Sequence, residues 1–337
     1  MYKRLLVVFL MVCSVGFINA QSDVLNAATP ADLQSTAQEQ INLDSSEPLP
    51  YGHVDKRDIL WSKTVWEKID LDQKINYPLL YPLDSDRLGT DRISLFQTLI
   101  RAIKKGLTNP DDKSAITEVY STSYFQQKKT YEEIQNSLKS IFLPDVALDI
   151  LGQYGVTGTD NVQLFLDRAL NNTLSDYPGL YSQELINQMK PYVIPTEITG
   201  SDITAYLIKG MWYFDKRDGA LKYRMIGIAP AGYDIQTQNP TYSGEPKVIP
   251  YFWVWFKDAR QALHNTKVLN AANNSQPITF DHLLNSRRFD AVIYKTQNEY
   301  EDREVADYIP DNALMQLLES QRIREQIRNF ELDMWTY

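Results

Sequence analysis

Two long β-prone runs on either side of a short charged turn constrain this chain more than any other feature. Ile203–Phe214 and Leu221–Ala229 are rich in Ile, Leu, Tyr and Trp, and Asp215-Lys216-Arg217-Asp218-Gly219 lies between them. A five-residue turn with an Asp-Gly pair joining such runs predicts an antiparallel hairpin. A loop punctuated by proline and glycine, Pro230 to Pro246, leads to a third expected strand over Val248–Phe256. A short helix over Asp281–Arg287 and a fourth strand over Phe289–Lys295 complete the pattern.

The residues before Pro195 read differently. Tyr77-Pro78-Leu79-Leu80-Tyr81-Pro82 is expected as an extended edge or wrap-around arm, because proline cannot donate to a ladder. Asp91 is the expected cap of a helix whose apolar positions Leu95, Phe96, Leu99, Ile100 and Ile103 follow the 3.6 period, and Gly106 its expected end. Thr130-Tyr131-Glu132-Glu133 has the form of a capping box. The helix it opens is expected to carry Ile134, Leu138, Ile141 and Phe142 to a stop before Pro144. Shorter helices and loops follow over 145–190. The expected fold is α+β: a helical first half, an antiparallel sheet after about residue 195 with helices packed on it, and a long C-terminal helix. No repeat of 20 to 50 residues is visible, which argues against a solenoid or propeller.

The first twenty residues read as a secretory signal. Lys3-Arg4 precedes an apolar run, Leu5–Phe17, too short to span a bilayer, and Ala20 suits the cleavage position. Val12 before Cys13 is too bulky for a lipoprotein signal. Cleavage after Ala20 would remove Cys13, the single cysteine, leaving no thiol for disulfides, nucleophilic catalysis or metal binding. It would also remove Lys3 and Arg4 and take the formal charge from -9 to -11. Residues 21–50 then form an expected flexible acidic leader, with five acids, no aromatic residue and no Lys or Arg. Residues 51–337 are expected as a single compact domain, since no Gly/Ser-rich linker appears after Pro50. The acidic balance argues against a nucleic-acid partner. No later segment is apolar enough to cross a membrane, so a soluble periplasmic or extracellular protein is expected.

Motifs for chemistry are missing where they would be expected. His53, His264 and His282 are scattered, with no metal-ligand spacing among them. Gly152, Gly155 and Gly158 match neither a Rossmann fingerprint nor a P-loop, and two of them read as turn positions. There is no nucleophile elbow and no S-x-x-K with its companions. No cofactor and no catalytic residue is assigned. A pair of carboxylates among the 43 acids is the open route to an enzyme, and a periplasmic hydrolase acting on glycans is the alternative function.

Apolar surface draws the eye instead. In Tyr251-Phe252-Trp253-Val254-Trp255-Phe256 both faces of a strand would be apolar. The run is either a central strand buried on both sides or an assembly surface carrying Trp253 and Trp255. Lys216-Arg217, Arg287-Arg288, and Arg322, Arg324 and Arg328 on the last helix are basic candidates for docking acidic surfaces. That helix, expected from a cap at Asp311, carries Leu314, Leu317 and Leu318 on one face and Ile323, Ile327, Phe330 and Met334 nearly opposite. A straight helix on one core cannot bury both stripes. Either it breaks near Ser320, or a neighbouring subunit covers the second stripe with the arginines at its rim.

Several long strings carry a resemblance. Trp212-Tyr213-Phe214-Asp215-Lys216-Arg217, Tyr223 to Pro230, Phe252 to Arg260, Leu283 to Phe289, Asp58 to Trp66 and Phe330 to Trp335 occur in an order that resembles the GldN/PorN family of Bacteroidetes gliding and type IX secretion proteins. The resemblance covers roughly Tyr51 to Tyr337. It implies a non-enzymatic periplasmic subunit that pairs with an outer-membrane lipoprotein of the GldK/PorK kind in a ring at the inner face of the outer membrane. It also implies contact with the periplasmic part of a GldM/PorM-like inner-membrane protein. No catalytic residue comes with it.

Overall fold

The computed structural model describes residues 47–83, 92–170, 173–238, 244, 246–269, 278–299 and 301–335. The expected signal over 1–20, nearly all of the expected leader and Asp91 as an expected helix cap lie outside them. Leu49–Tyr337 forms one contact unit and holds every element named below.

The expected α+β architecture is present. Among the described residues seven strands make one antiparallel sheet: β1 (Ile59–Asp70), β2 (Val119–Tyr120), β3 (Ile203–Asp215), β4 (Ala220–Tyr233), β5 (Val248–Pro250), β6 (Trp253–Trp255) and β7 (Val292–Thr296). Their order is β7-β1-β3-β4-β6-β2, with β5 also on β4. The hairpin β3–β4 is its spine, paired from Ile203 opposite Gly232 to Asp215 opposite Ala220, with register shifts between Ile203 and Ala205 and between Lys209 and Gly210. The sheet is not confined to the second half of the chain. β1 inserts between β7 and β3, and its Val65, Glu67 and Ile69 face one side while Trp66 faces the other.

The helices are α1 (Leu95–Thr108), α2 (Tyr131–Leu138), α3 (Asp145–Gln153), α4 (Thr159–Leu170), α5 (Gln183–Met189), α6 (Phe256–Asn265), α7 (Phe280–Asn285) and α8 (Ala313–Trp335). Ser94 caps α1, its hydroxyl accepting from the Gln97 N–H at 3.3 Å. Gly106 does not end α1. It lies inside the helix where a Cβ would come within 2.2 Å of the Ile116 carbonyl oxygen, so glycine permits a close crossing there. The capping box at Thr130 forms as expected. However, α2 stops at Leu138, and Lys139–Ile141 becomes a strand pairing with Pro195–Glu197. The prolines at 78 and 82 do not extend the chain as expected: Tyr77–Leu80 is one helical turn with Pro78 in its first positions, where a missing N–H costs nothing.

The expected third strand is likewise cut. Tyr251 and Phe252 separate β5 from β6, and Phe256 opens α6. The sequence Phe256-Lys257-Asp258-Ala259-Arg260-Gln261-Ala262-Leu263 buries Phe256, Ala259, Arg260 and Leu263, a helical period that overrides the β-propensity before it. The main core lies between the sheet and helices α1, α6 and α7, where Leu99, Tyr206, Ile208, Ile228, Phe252, Phe256, Phe280 and Leu284 meet. Each such side chain contributes about 1.5–3 kcal/mol by leaving water. Across α6 and α7, Arg260 donates to both carboxylate oxygens of Asp281 at 2.8 and 3.0 Å. A separate helical cluster joins α3, α4 and α5 around Leu151, Phe165, Leu185 and Met189. Gly155 and Gly158, at φ of 80° and 87°, mark the turns expected of them.

At the tip of the hairpin Gly219 takes φ 61° and its N–H donates to the Asp215 carbonyl at 2.8 Å. The Asp215 carboxylate is fully enclosed and accepts from Lys222 Nζ at 3.0 Å and from the Arg217 N–H at 3.0 Å. Enclosure alone would raise its pKa, but the hydrogen bonds from Arg217 and Lys222 outweigh this and hold it at about 2. A depressed carboxylate stabilises the fold above its unfolded pKa, so this contribution is complete above 3.8 and disappears as the pH falls toward about 2. Asp215→Asn is therefore expected to flatten the acid limb of a melting-temperature profile over that window. An acid limb identical to that of the parent would contradict the assignment.

Candidate interaction surfaces

The C-terminal helix α8 is unbroken from Ala313 to Trp335. Its cap is Asn312, which accepts from the Met315 N–H at 3.0 Å, and not Asp311, which adopts φ 59° outside the helix. Ile323 and Ile327 are 3% and 4% exposed and pack on Val65, Ile293 and Val305. Ser320 between the two stripes is buried, and its hydroxyl accepts from the Ile293 N–H at 2.9 Å. Phe330 stacks on Trp61 at 4.6 Å and meets the edge of Phe214, and Met334 is half-buried. These contacts correct the expectation that a neighbouring subunit covers the second stripe; the chain's own sheet does. The first stripe is the one left in water. Leu314 is 66% exposed and Leu317 44%, with Met315 and Leu318 beside them. Leu317 also rims a cleft of about 370 Å³ with Lys68, Tyr294 and Val305.

The expected arginines divide. Arg287 is not a docking group. It stands at φ 51° and grips the buried Glu67 of β1 with two hydrogen bonds of 2.8 and 2.9 Å. Its guanidinium lies over Tyr223 at 4.1 Å and near Trp212 and Phe289, and the Tyr223 hydroxyl donates to Glu67 at 3.3 Å. Gly210 of β3 makes room, since a Cβ there would come within 2.1 Å of the Tyr223 oxygen. Burial pushes the Tyr223 phenol well up, aided by the Glu67 charge. Burial works against the charged form of Arg287, but the bonds to Glu67 more than compensate and raise its pKa.

Arg324 donates to the Ala291 carbonyl, tying α8 to the chain before β7. Arg322 is paired with Glu319 on its own helix. Arg287, Arg324, Ile327 and Arg328 meet in a cleft of about 320 Å³ that Glu67, Trp212 and Glu331 also line. With Asp290 it has three acids against three arginines, so its charges balance and it has no preference for an anion. Arg288 is exposed and outside it. Trp253 and Trp255 do not form one surface. Trp253 is buried on the opposite face of the sheet with Trp66 and Ala229, and Trp255 is half-buried with its ring against the edge of Phe125 at 4.9 Å.

For chemistry the described residues offer little. No three His, Cys, Asp or Glu gather there as metal ligands would, and no helix there is long and apolar enough to cross a membrane. Asp258 and Glu118 interact, and their environments pull them apart. Burial and Glu118 raise Asp258, while Lys128 and Tyr120 hold Glu118 down by hydrogen bonding. Neither lines the arginine cleft.

Sequence reasoning missed the exposure of the Leu314 stripe. Periodicity marks two equivalent stripes, and only the surroundings of Ser320, a small residue able to accept from the adjoining strand, tell them apart. The family model described as "Gliding motility associated protein GldN" matches residues 54–336, which takes in nearly the whole folded unit. No curated protein matches the chain.

Proposed function

We propose, from the premise that the chain belongs to the GldN family of gliding motility associated proteins, that it is a non-enzymatic structural subunit of the type IX protein secretion and gliding motility machinery. In this reading it works in the periplasm, held at the inner face of the outer membrane by a GldK/PorK-like lipoprotein. With that partner it forms a ring, and it contacts the periplasmic region of a GldM/PorM-like inner-membrane protein. The family match over residues 54–336 carries the reading. The secretory signal and the absence of a cofactor motif in the sequence agree with it. So does the Leu314–Leu318 stripe, since large apolar side chains left in water mark contact surfaces.

Pulling down the tagged protein from detergent-solubilised envelopes is the test. The expected result is a lipoprotein partner in near-equal amount. Recovery as a lone monomer that turns over a glycan would replace the scaffold with the hydrolase alternative.

A further inference from the structure

Strand β4 is paired with β3 along its length, but on its other side it has partners only from Gly227 onward. Gly227 and Ile228 face Trp255 and Val254 of β6, and Ala231 to Tyr233 face β5. Ahead of Gly227 the pairing stops because β6 stops: Phe256 turns the chain into α6, so no strand continues beside Met225, Arg224 and Tyr223. Among the described residues the outer edge of Ala220–Ile226 is unpaired. Every second residue of such an edge presents an unmet N–H and C=O.

A cleft of about 510 Å³ lies along this edge. It is lined by Arg224, Met225 and Ile226 of β4, by the arm Pro50–Val54, and by Trp255, Lys257 and Arg260. Arg224, Lys257 and Arg260 line it and no carboxylate does, on a chain whose net charge is -9; Arg260 is already paired with Asp281, which leaves Arg224 and Lys257 as the cations that face a ligand. Arg224 is held in place by donating to the Gly52 carbonyl at 2.9 Å and by lying over the Tyr51 ring. Arg260 is fixed against the same ring at 4.2 Å. Lys257 is exposed at the mouth. Preset cations beside an open strand edge and a half-buried tryptophan form a site of one recognisable kind.

We propose that the cleft is a β-augmentation site for an extended acidic peptide of a partner protein. The peptide adds as a strand to the β4 edge, its carboxylates meet Arg224 and Lys257, and one apolar side chain lies against Trp255. A second copy of this chain fits less well. Edge-to-edge pairing of two β4 strands would bring Lys222 and Arg224 against the same cations of the other copy. The inference stands on the cleft alone and does not depend on the assembly role, which co-purification tests separately.

The experiment uses the purified full chain and a capped nonapeptide of alternating glutamate and valine. Binding is read by calorimetry and by tryptophan emission. The acidic peptide is expected to bind more weakly as salt is raised, and its lysine-valine counterpart not to bind. Lys257→Glu, at an exposed position that leaves the fold intact, is expected to weaken binding by about tenfold through loss of a charge-assisted contact. A peptide N-methylated at alternate residues keeps its charges but loses its ladder donors, and is expected to lose binding. Equal binding of the N-methylated and parent peptides would reject strand addition. Equal binding of acidic and basic peptides, no binding at all, or concentration-dependent self-association blocked by Lys222→Glu would each overturn the proposal.

Discussion

Replacing Ile327 and Phe330 together by serine is expected to lower the melting temperature of the isolated protein on the order of 10 °C. Ile327 is 4% exposed against Val65 and Ile293, and Phe330 stacks on Trp61. Truncating one buried Ile costs about 2–5 kcal/mol through lost transfer energy and the cavity left behind. The loss of the Trp61 stack adds about 0.5–1.5 kcal/mol. For a domain of this size each kcal/mol moves the melting point by roughly 2–4 °C. The matching change on the opposite face, Leu314→Ser with Leu318→Ser, removes side chains already in water and is expected to leave the melting point nearly unchanged. If the two double variants melted alike, α8 would not be seated on the sheet through the Ile323 stripe.

Arg287→Met is expected to destabilise the protein by about 3–5 kcal/mol, because it leaves a buried carboxylate without its countercharge. Glu67 is 2% exposed, and besides the two bonds from Arg287 it accepts one from the Tyr223 hydroxyl. Converting Glu67 to Met in the same molecule removes the stranded charge, so the double variant should be more stable than Arg287→Met alone. That ordering distinguishes a desolvated ion pair from ordinary packing, in which the second truncation would add to the first. Urea unfolding of all four members of the cycle measures it. A loss below about 1 kcal/mol for Arg287→Met would be the behaviour of a surface pair and would refute the burial argument.

Much of the fold was legible because it is locally encoded. The Asp-Gly turn at 218–219 needs only a residue that accepts positive φ, and the box at Thr130 needs only a hydroxyl and a glutamate three positions on. Both form as read. Where one local signal competed with another, the reading failed. The aromatic run to Phe256 has the β-propensity of one strand, but the helical period of Phe256, Ala259, Arg260 and Leu263 begins at its last residue and wins. Gly106 has the look of a helix end, where glycine often serves, but its reason is the Ile116 carbonyl, which the local sequence does not contain.

By itself, then, the sequence determined the α+β class, the hairpin at its centre, the capping box at Thr130 and, through strings such as Phe252 to Arg260, the family. Each of these rests on residues within a few positions of one another, or on their order along the chain. Only the tertiary structure decided which stripe of α8 is covered, that Arg287 answers a carboxylate 220 positions away, and that the first half of β4 has no outer strand partner among the described residues and lies beside Arg224 and Lys257. Burial and pairing are properties of what lies opposite. A helix with two apolar stripes, a basic pair and a strand edge read the same in one dimension whether their partner is the chain itself, another protein or water.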